Sequence, residues 1–212
     1  MKTLAIDRST DVSSVALAED GALAVRTFEG MDSRSANWPV GVRGFLMENG
    51  LSFSDLDRIV VGVGPGSFAG IRGALSFAQG LAIGIRARRP EAGPIVYGVS
   101  SAMAVARDEG LAAVIGDARR GLFWVAVYDG MRTVSELRLV SMDELPAAVP
   151  PDAVVVTPDG VRIGAALGEM FGGRFAGNRA PSAERIARIA MECPEALTPE
   201  PLPIYLSPAV RA

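Results

Sequence analysis

The sequence contains no histidine, and this absence excludes several kinds of chemistry. Ser-His-Asp and Cys-His catalytic sites, zinc sites with histidine ligands, and the usual general base near neutral pH all require an imidazole. Any reaction carried out by this chain would therefore depend on carboxylates, on backbone amides or on groups supplied by a partner.

Cysteine is also scarce, since the chain has one, Cys193. A single thiol excludes an internal disulfide and is compatible with a reducing compartment. Asp7 interrupts the first apolar residues where a secretion signal would need a long apolar run, and we expect no apolar run long enough to span a bilayer. The sequence therefore predicts a cytoplasmic protein that does not bind a membrane.

Positive charge is in deficit: 21 lysines and arginines stand against 24 acidic residues, for a net charge of −3. Non-specific binding of nucleic acid needs a basic face that neutralises phosphates, so this chain alone is expected to bind nucleic acid poorly. About half of its 212 residues are apolar (49%), which is enough for a sizeable core in one large domain or two small ones.

The order of the predicted elements occurs twice along the chain. The first copy begins with an apolar strand that ends at Asp7, and the second begins with a strand that runs to Asp117. In each copy two further strands follow, joined by Asp-Gly turns, and then a helix, a strand and more helices. This order predicts an α/β protein with two ribonuclease-H-like subdomains in an actin-like (ASKHA) arrangement, with mixed sheets flanked by helices.

We place the boundary between these subdomains near Gly110. The N-terminal subdomain then covers residues 1–110 and the C-terminal subdomain covers residues 111–197. The proline-rich tail at residues 198–212 is expected to pack back onto the fold.

A glycine-rich turn at residues 64–66 lies between a predicted strand and a predicted helix that extends to about Ile85. Residues four apart share one face of a helix, and a ridge without bulky side chains lets another backbone approach closely. Small residues recur at this spacing, at Gly66, Gly70, Ala74, Ala78 and Ala82. The sequence leaves open whether this ridge meets a phosphate, its own subdomain or a second protein.

The segment Gly64–Ala69 formally matches the G-x-G-x-x-G/A dinucleotide fingerprint. However, Pro65 removes one backbone donor, and no carboxylate ends the next predicted strand, Ile95–Val99, where a ribose would need one. No Walker motif is present. A tight turn followed by a closely packed helix is the favoured interpretation.

Asp7 and Asp117 are weak candidates for nucleotide binding. In the actin-like group, acids at these strand ends hold magnesium, but here the loops that follow, 8–10 and 118–120, lack the glycines that let amides reach phosphates. Arginines in both loops offer the acids a structural partner instead. An actin-like phosphotransferase or ATPase that uses Asp7 and Asp117 remains the alternative, and a nuclease with Asp7 and Glu48 around metals is less favoured.

Segments along nearly the whole chain resemble the bacterial TsaB family, also called YeaZ. The Gly-Pro-Gly-Ser-Phe-x-Gly-x-Arg pattern of Gly64–Arg72 is fairly specific to TsaB and its catalytic relative TsaD. The other matching segments are Leu4–Asp7, Ser14–Leu17, Ala78–Leu81, Val99–Ser101, Asp117–Arg119, Val127–Asp129 and Pro203–Leu206.

This resemblance implies a catalytically silent protein with a degenerate nucleotide site and no cofactor of its own. TsaB pairs with TsaD through its first subdomain, and the ATPase TsaE joins the complex. Together they place a threonylcarbamoyl group on N6 of the adenosine next to the anticodon, so tRNA is reached only through the complex. TsaD holds the metal through histidines, and TsaB can form a homodimer when TsaD is absent.

The resemblance implies that the small-residue ridge and the preceding predicted helix form the interface with the partner. The implied interface residues are Trp38, Val42, Gly66, Phe68, Gly70, Ile71, Ala74 and Ala78. Packing of the ridge inside its own subdomain is the alternative. Two departures from the family concern this surface: Ala69 stands where the family usually has threonine, and Ser33–Val40 replaces a basic, His-Ser-containing segment followed by Leu-Leu-Pro.

Overall fold

The computed structural model describes residues 1–28, 37–106 and 108–206, which form two compact units. Of these residues, unit 1 comprises those within Met1–Ser101 and Ser182–Ile204, and unit 2 comprises those within Ala102–Pro181 together with Tyr205 and Leu206. The predicted division near Gly110 therefore differs from the observed one.

Unit 1 contains a six-stranded mixed sheet. The strands are β1 (Thr3–Asp7), β2 (Ser13–Glu19), β3 (Ala22–Phe28), β4 (Arg58–Gly62), β5 (Ile95–Val99) and β11 (Thr198–Pro199), in the spatial order β11-β5-β4-β1-β2-β3. In this sheet β1 pairs antiparallel with β2 and parallel with β4, and β4 pairs parallel with β5. All five residues of β1 and of β4 are buried, because helices cover both faces of the sheet there.

Two helices cover one face of this sheet. They are α1 (Trp38–Glu48) and α2 (Phe68–Arg86), and both contribute to the core cluster that contains the alternate β1 side chains Leu4 and Ile6. The helices touch through Trp38 and Phe77, whose ring centroids lie 4.8 Å apart at 60°. A 3-10 turn, Phe53–Asp55, leads from α1 into β4.

A third helix, α6 (Ala183–Glu192), covers the opposite face of the same sheet. Ser182 caps its first turn by accepting the Arg185 N–H at 3.3 Å, and the Ala183 N–H donates to the Ser14 hydroxyl at 2.8 Å. The sequence placed this helix in the C-terminal subdomain. Its buried side chains, such as Ile186, instead pack onto unit 1, which is why unit 1 is discontinuous in sequence.

The segment at residues 198–204 also returns to unit 1. The two-residue strand β11 pairs antiparallel with β5, and the Ile204 N–H donates to the Val63 carbonyl at 2.9 Å. Ile204 is partly buried against the core formed with α1 and α2. This return gives β5 a neighbour on what would otherwise be an open sheet edge.

Unit 2 repeats the plan of unit 1 around a five-stranded mixed sheet. Its strands are β6 (Leu111–Arg119), β7 (Leu122–Asp129), β8 (Arg132–Ser141), β9 (Val154–Thr157) and β10 (Phe175–Asn178), in the order β10-β9-β6-β7-β8. Its helices are α3 (Ser101–Ala106), α4 (Leu145–Ala148) and α5 (Gly160–Phe171). Apart from the additional edge strand β11 of unit 1, both sheets thus show the spatial order fifth, fourth, first, second, third strand of their unit. The duplicated sequence pattern predicts two such mixed sheets.

By length and composition, helix α2 is long and apolar enough to span a membrane. The expectation that no apolar run has this length is therefore wrong. The helix has 19 residues, with a mean hydropathy of 1.3 over its most apolar window, of which 33% is buried. Ile71, Ala74 and Leu75 face the core of unit 1, and the core helix of a globular unit passes the same test. Ala78, Ala82 and Ile85 of α2 are buried as well, whereas Phe68 and Ile83 are exposed.

Candidate functional site

Asp7 ends β1 and is completely buried. Its Oδ1 accepts hydrogen bonds from the Ser9 N–H at 2.9 Å and from the Ser9 hydroxyl at 2.8 Å, and its Oδ2 accepts one from the Ser101 hydroxyl at 2.9 Å. Desolvation by burial raises the pKa of this carboxyl, and the hydrogen bonds oppose the rise without cancelling it. Asp7 is therefore part of the interior of unit 1 and does not present a free carboxylate.

Gly62 explains how a carboxylate fits into the sheet at this place. A Cβ added at position 62 would lie 2.0 Å from the Asp7 Oδ2 and 2.9 Å from a methyl group of Ile186 in α6. The missing side chain makes room for Asp7 beneath α6. The Ser101 hydroxyl accepts the Gly64 N–H at 3.1 Å and so connects Asp7 to the glycine turn.

Asp117 has a different environment, in a small ionic cluster of unit 2. Arg162 bridges two acids there: its Nε lies 2.8 Å from the Asp117 Oδ2, and its Nη2 contacts Asp159. The Arg119 Nη1 lies 3.5 Å from the same Asp117 oxygen, and the Asp117 N–H donates to Asp159 at 2.8 Å. The expected pairing of an arginine in the following loop with this acid is confirmed for Arg119.

These residues do not suit a metal ion. Among the described residues, no group of three or more histidine, cysteine, aspartate and glutamate side chains converges on one point. The Asp7 oxygens already accept three hydrogen bonds, and those of Asp117 face arginines. Glu48, the second acid considered for a nuclease, is bonded to Arg26 of β3. The donor set therefore supports a structural use of these acids.

The small-residue ridge of α2 packs inside unit 1. A Cβ added at Gly66 would lie 2.1 Å from the Ser9 carbonyl oxygen, and one added at Gly70 would lie 2.0 Å from that of Arg8. Ala74 and Ala78 are both completely buried. Internal packing therefore explains why positions 66, 70, 74 and 78 carry small residues, although Gly66 itself is exposed and Gly70 is half-buried. The expectation that this ridge also contacts a partner stays a prediction.

Trp38 and Val42 of α1 and Ile71 of α2 were also predicted at the interface, and all three are buried in the unit 1 core. The Arg8 guanidinium lies 4.6 Å from the centre of the Trp38 ring. Of the eight predicted interface residues, Phe68 has its side chain exposed (52%). Ser33–Ala36, the first part of the atypical segment, lie outside the described residues.

A different stripe of α2 faces solvent. Because it is displaced from the buried ridge by two residues, or about 200°, it lies on the other side of the helix. It contains Phe68, Arg72, Ser76, Gly80 and Gly84, again at four-residue spacing, with Ile83 beside them. A Cβ added at Gly80 or Gly84 would meet nothing within 4 Å, so no contact with the residues that the structure describes requires glycine there.

Helix α1 also presents apolar side chains to solvent. Val40 is 68% exposed and Met47 is 61% exposed, with exposed Arg43 between them. Since α1 and α2 lie on one face of the sheet and touch each other, we treat their exposed residues as one surface, the exposed helix face. It consists of Val40, Arg43 and Met47 of α1 and Phe68, Arg72, Ser76, Gly80, Ile83 and Gly84 of α2.

The composition of the exposed helix face is typical of a protein interface. Phenylalanine, methionine and arginine are enriched at interfaces, and lysine and glutamate are depleted. Arg72 stacks over Phe68, with its guanidinium carbon 4.9 Å from the ring centre. Sequence reasoning missed most of these residues. The signal that could have found them is the second run of small residues, Ser76, Gly80 and Gly84, beside the first one.

Comparison with known proteins agrees with the fold and identifies the family. A family model described as "TsaD: tRNA N6-adenosine threonylcarbamoyltransferase" matches residues 35–144, more than half of the chain. The structure described as YeaZ from Pseudomonas aeruginosa is 27% identical with a TM-score of 0.76 and covers 97% of this chain and 99% of its own. A second structure from that organism, an uncharacterized protein similar to YeaZ, shows the same fold at 24% identity and a TM-score of 0.80, again over 97% and 99%.

Curated relatives match over shorter stretches. The "tRNA threonylcarbamoyladenosine biosynthesis protein TsaB" of Escherichia coli K12 is 35% identical over 134 residues, which are 60% of this chain and 55% of the relative. The Haemophilus influenzae protein of the same name is 35% identical over 81 residues, or 38% and 34%. The chain thus spans about half the length of the first of these relatives and about a third of the second.

These matches confirm the predicted α/β fold of the actin-like class with mixed sheets flanked by helices. The family model, the YeaZ structure and the two TsaB relatives agree on one assignment. The chain belongs to the TsaB/YeaZ group of the TsaD family, a group named for threonylcarbamoyladenosine biosynthesis in tRNA.

Proposed function

We propose that this chain is a non-catalytic, cytoplasmic subunit that pairs with TsaD and activates it for N6-threonylcarbamoylation of the tRNA adenosine next to the anticodon. TsaE joins the resulting complex, and tRNA is bound through the complex as a whole. The exposed helix face of unit 1 is the docking surface. The reacting groups belong to TsaD.

The state of the two strand-end acids supports a non-catalytic role. A carboxylate that holds magnesium or activates water must present oxygens to its ligand. Asp7 is completely buried with three hydrogen bonds to its oxygens, and Asp117 is paired with Arg162 and Arg119. The chain also has no histidine with which to bind a metal or act as a general base.

The observation that carries the docking proposal is the pair of open glycines in α2. Glycine in the interior of a helix costs about 1 kcal/mol relative to alanine. Gly66 and Gly70 are explained by contacts inside unit 1, whereas a Cβ at Gly80 or Gly84 would meet no described residue within 4 Å. Two glycines without such a contact, next to exposed Ile83, suit the close approach of a partner backbone.

The direct test is binding to the TsaD protein encoded in the same genome. Gly80→Leu places bulk on the exposed helix face, where no residue in the described ranges opposes it. We expect this variant to fold and to bind TsaD at least tenfold more weakly than the wild type. Ala165→Leu, at an exposed position of α5 in unit 2, is the matched control and should bind normally.

The docking proposal is contradicted if Gly80→Leu binds TsaD as tightly as the wild type. The rival function, an actin-like ATPase or phosphotransferase, is tested on the purified chain alone. Nucleotide hydrolysis that disappears in both Asp7→Ala and Asp117→Ala would favour the enzyme. We expect no hydrolysis above the background measured with those two variants.

A further inference from the structure

The hairpin between β6 and β7 carries two arginines at its tip. Arg119 and Arg120 precede Gly121, and these three residues have positive φ angles of 70°, 55° and 76°. Arg119 pairs with Leu122 across the hairpin, so Arg120 and Gly121 form a two-residue turn. Positions with a positive φ favour glycine or asparagine, because other side chains are strained there. Arginine is therefore an unfavourable choice at both positions.

Contacts inside unit 2 do not explain these arginines. Arg120 is exposed and makes no hydrogen bond or ion pair with the residues that the structure describes. Arg119 has 67% of its side chain exposed, and its Nη1 lies 3.5 Å from an Asp117 oxygen that Arg162 already contacts at 2.8 Å. Since neither guanidinium is needed to compensate a buried acid, their use lies outside the contacts of this unit.

The second hairpin of unit 2 has a different arrangement at its tip. It joins β7 to β8, and its exposed Arg132 is paired with Asp129 at 3.2 Å. The positive φ in that turn belongs to a glycine, Gly130. Because the two hairpins leave β7 at its opposite ends, their tips lie at opposite ends of the sheet. The two arginines at positive φ are therefore a local feature of the β6–β7 tip.

The shape of the β6–β7 tip favours RNA phosphates over a protein partner. A stable protein interface buries about 800 Å² per partner, which a two-residue turn does not provide. A Cβ added at Gly121 would meet no described residue within 4 Å, so none of these residues covers the turn. A phosphate contact needs an exposed cation, and arginine can bind phosphate oxygens with two donors at once.

We propose that Arg119 and Arg120 contact the phosphate backbone of the tRNA when this chain is part of the modification complex. This inference rests on the proposed function, in which tRNA is bound by the complex as a whole. It adds a direct contact by unit 2 that does not depend on base sequence, whereas docking is assigned to unit 1. Two phosphate contacts agree with the expectation that this acidic chain alone binds nucleic acid poorly.

The test is tRNA binding by the isolated complex of this chain with TsaD, measured by fluorescence anisotropy with an unmodified tRNA transcript. At about 100 mM salt, we expect Arg119→Gln/Arg120→Gln to bind about fivefold more weakly than the wild type. Each lost phosphate contact removes counterion release, so the plot of log K against log salt should become shallower by about 1 to 2. The double lysine variant keeps both charges and should keep the wild-type slope.

Two further variants separate RNA binding from the fold. Arg132→Gln removes a 75% exposed arginine from the other hairpin, and its complex should bind tRNA with the wild-type affinity and slope. Arg120→Gly suits the positive φ of the turn, so it should unfold at a urea concentration no lower than the wild type while its salt slope becomes shallower. A loss of stability in Arg120→Gly would assign this arginine to the fold and overturn the inference.

The outcomes distinguish this inference from the proposed function. Equal salt slopes for the wild type and the glutamine variant, with both complexes intact, would overturn the inference and leave the proposed function in place. Weaker assembly of the glutamine variant with TsaD or TsaE, at an unchanged slope, would assign the arginines to a protein contact and overturn it as well. A wild-type chain that binds no TsaD would overturn the proposed function, and the inference with it.

Discussion

The backbone of Gly70 in α2 passes so close to Arg8 that a Cβ added at position 70 would lie 2.0 Å from the Arg8 carbonyl oxygen. The Ser67 N–H donates to the neighbouring Ser9 carbonyl at 2.7 Å, and the Ser67 hydroxyl caps α2 by accepting the Gly70 N–H at 3.3 Å. The start of α2 is thereby fixed against the loop that follows β1. Because of this contact, the run of small residues that contains Gly70 faces the interior of unit 1, and the second run of small residues on α2 faces solvent.

Two glycine-to-alanine changes in α2 should have opposite effects on stability. Gly70→Ala forces a methyl group into the Arg8 carbonyl and should lower the free energy of unfolding by about 2 kcal/mol, as other overpacked sites do. Gly80→Ala meets no atom and should raise it by about 1 kcal/mol through helix propensity. Urea denaturation monitored by circular dichroism measures both. If Gly70→Ala and Gly80→Ala changed the free energy of unfolding equally, the assignment of Gly70 to the buried side of α2 and of Gly80 to its exposed side would be wrong.

A charge in place of Ile83 should weaken partner binding without weakening the fold. Ile83 is 69% exposed, so Ile83→Glu should change the free energy of unfolding by less than about 0.5 kcal/mol. In the proposed complex the carboxylate would be desolvated against apolar contacts, and binding to TsaD should fall at least tenfold.

Val161→Glu is the matched control for Ile83→Glu, because Val161 is fully exposed on α5 of unit 2. Calorimetric titration with TsaD measures both variants. The account fails here if the two substitutions weaken binding to the same extent.

Ionisation of the buried Asp7 should make stability depend on pH. Burial raises the pKa of Asp7 above its ordinary 3.8, so the folded protein binds this proton more tightly than the unfolded chain does. The resulting stabilisation is fully present below the unfolded-state pKa and is lost as the pH rises through the raised folded-state pKa. Asp7→Asn cannot ionise and retains the space and most of the hydrogen bonding of the site.

We therefore expect Asp7→Asn to unfold at a higher urea concentration than the wild type at pH 7. The difference should shrink as the pH is lowered towards 4. Asp152→Asn, at an exposed position of unit 2, is the control for the loss of one negative charge. A stability difference between Asp7→Asn and the wild type that grows on acidification would contradict the cause assigned to the raised pKa.

Arg162→Gln tests the structural role of the second strand-end acid. Arg162 contacts both Asp117 and Asp159, each with 16% of its side chain exposed, so its removal leaves two partly buried carboxylates side by side. We expect a loss of about 1 kcal/mol, reduced at 1 M salt. Arg132→Gln, which breaks the exposed pair with Asp129, should cost less than about 0.5 kcal/mol. A stability gain in Arg162→Gln would mean that the acids do not depend on this arginine.

Much of the fold could be predicted from sequence because its signals are local. The apolar runs that end at Asp7 and Asp117 and the Asp-Gly turns of the hairpins establish strands and their order, and the repetition of that order establishes two similar sheets. The position of α6 could not be predicted in the same way. Its amphipathic pattern shows that one side is buried, but which sheet it covers depends on contacts such as Ala183 with Ser14, which lie 169 residues apart.

The sequence pattern and the structure point to different sides of α2 for the candidate site. Spacing shows that α2 carries small residues on one face, and both a protein interface and a tight internal contact use such a face. The choice is made by the loop at Arg8–Ser9, whose carbonyl groups lie against Gly66 and Gly70. That loop is remote in sequence from α2, so the sequence does not show which side of the helix the loop covers. The three-dimensional structure shows the loop against one side of α2 and the stripe with Gly80 and Gly84 on the other.

The central claim is that this chain supplies a docking surface and that TsaD performs the chemistry. Reconstitution of tRNA N6-threonylcarbamoylation with purified components measures this directly, with TsaD and TsaE in the presence and absence of this chain. We predict that modified adenosine accumulates at least tenfold faster when the wild-type chain is present, that Gly80→Leu loses this effect, and that the chain alone forms no product. Equal rates with and without the chain, or product formed by the chain in the absence of TsaD, would contradict the account.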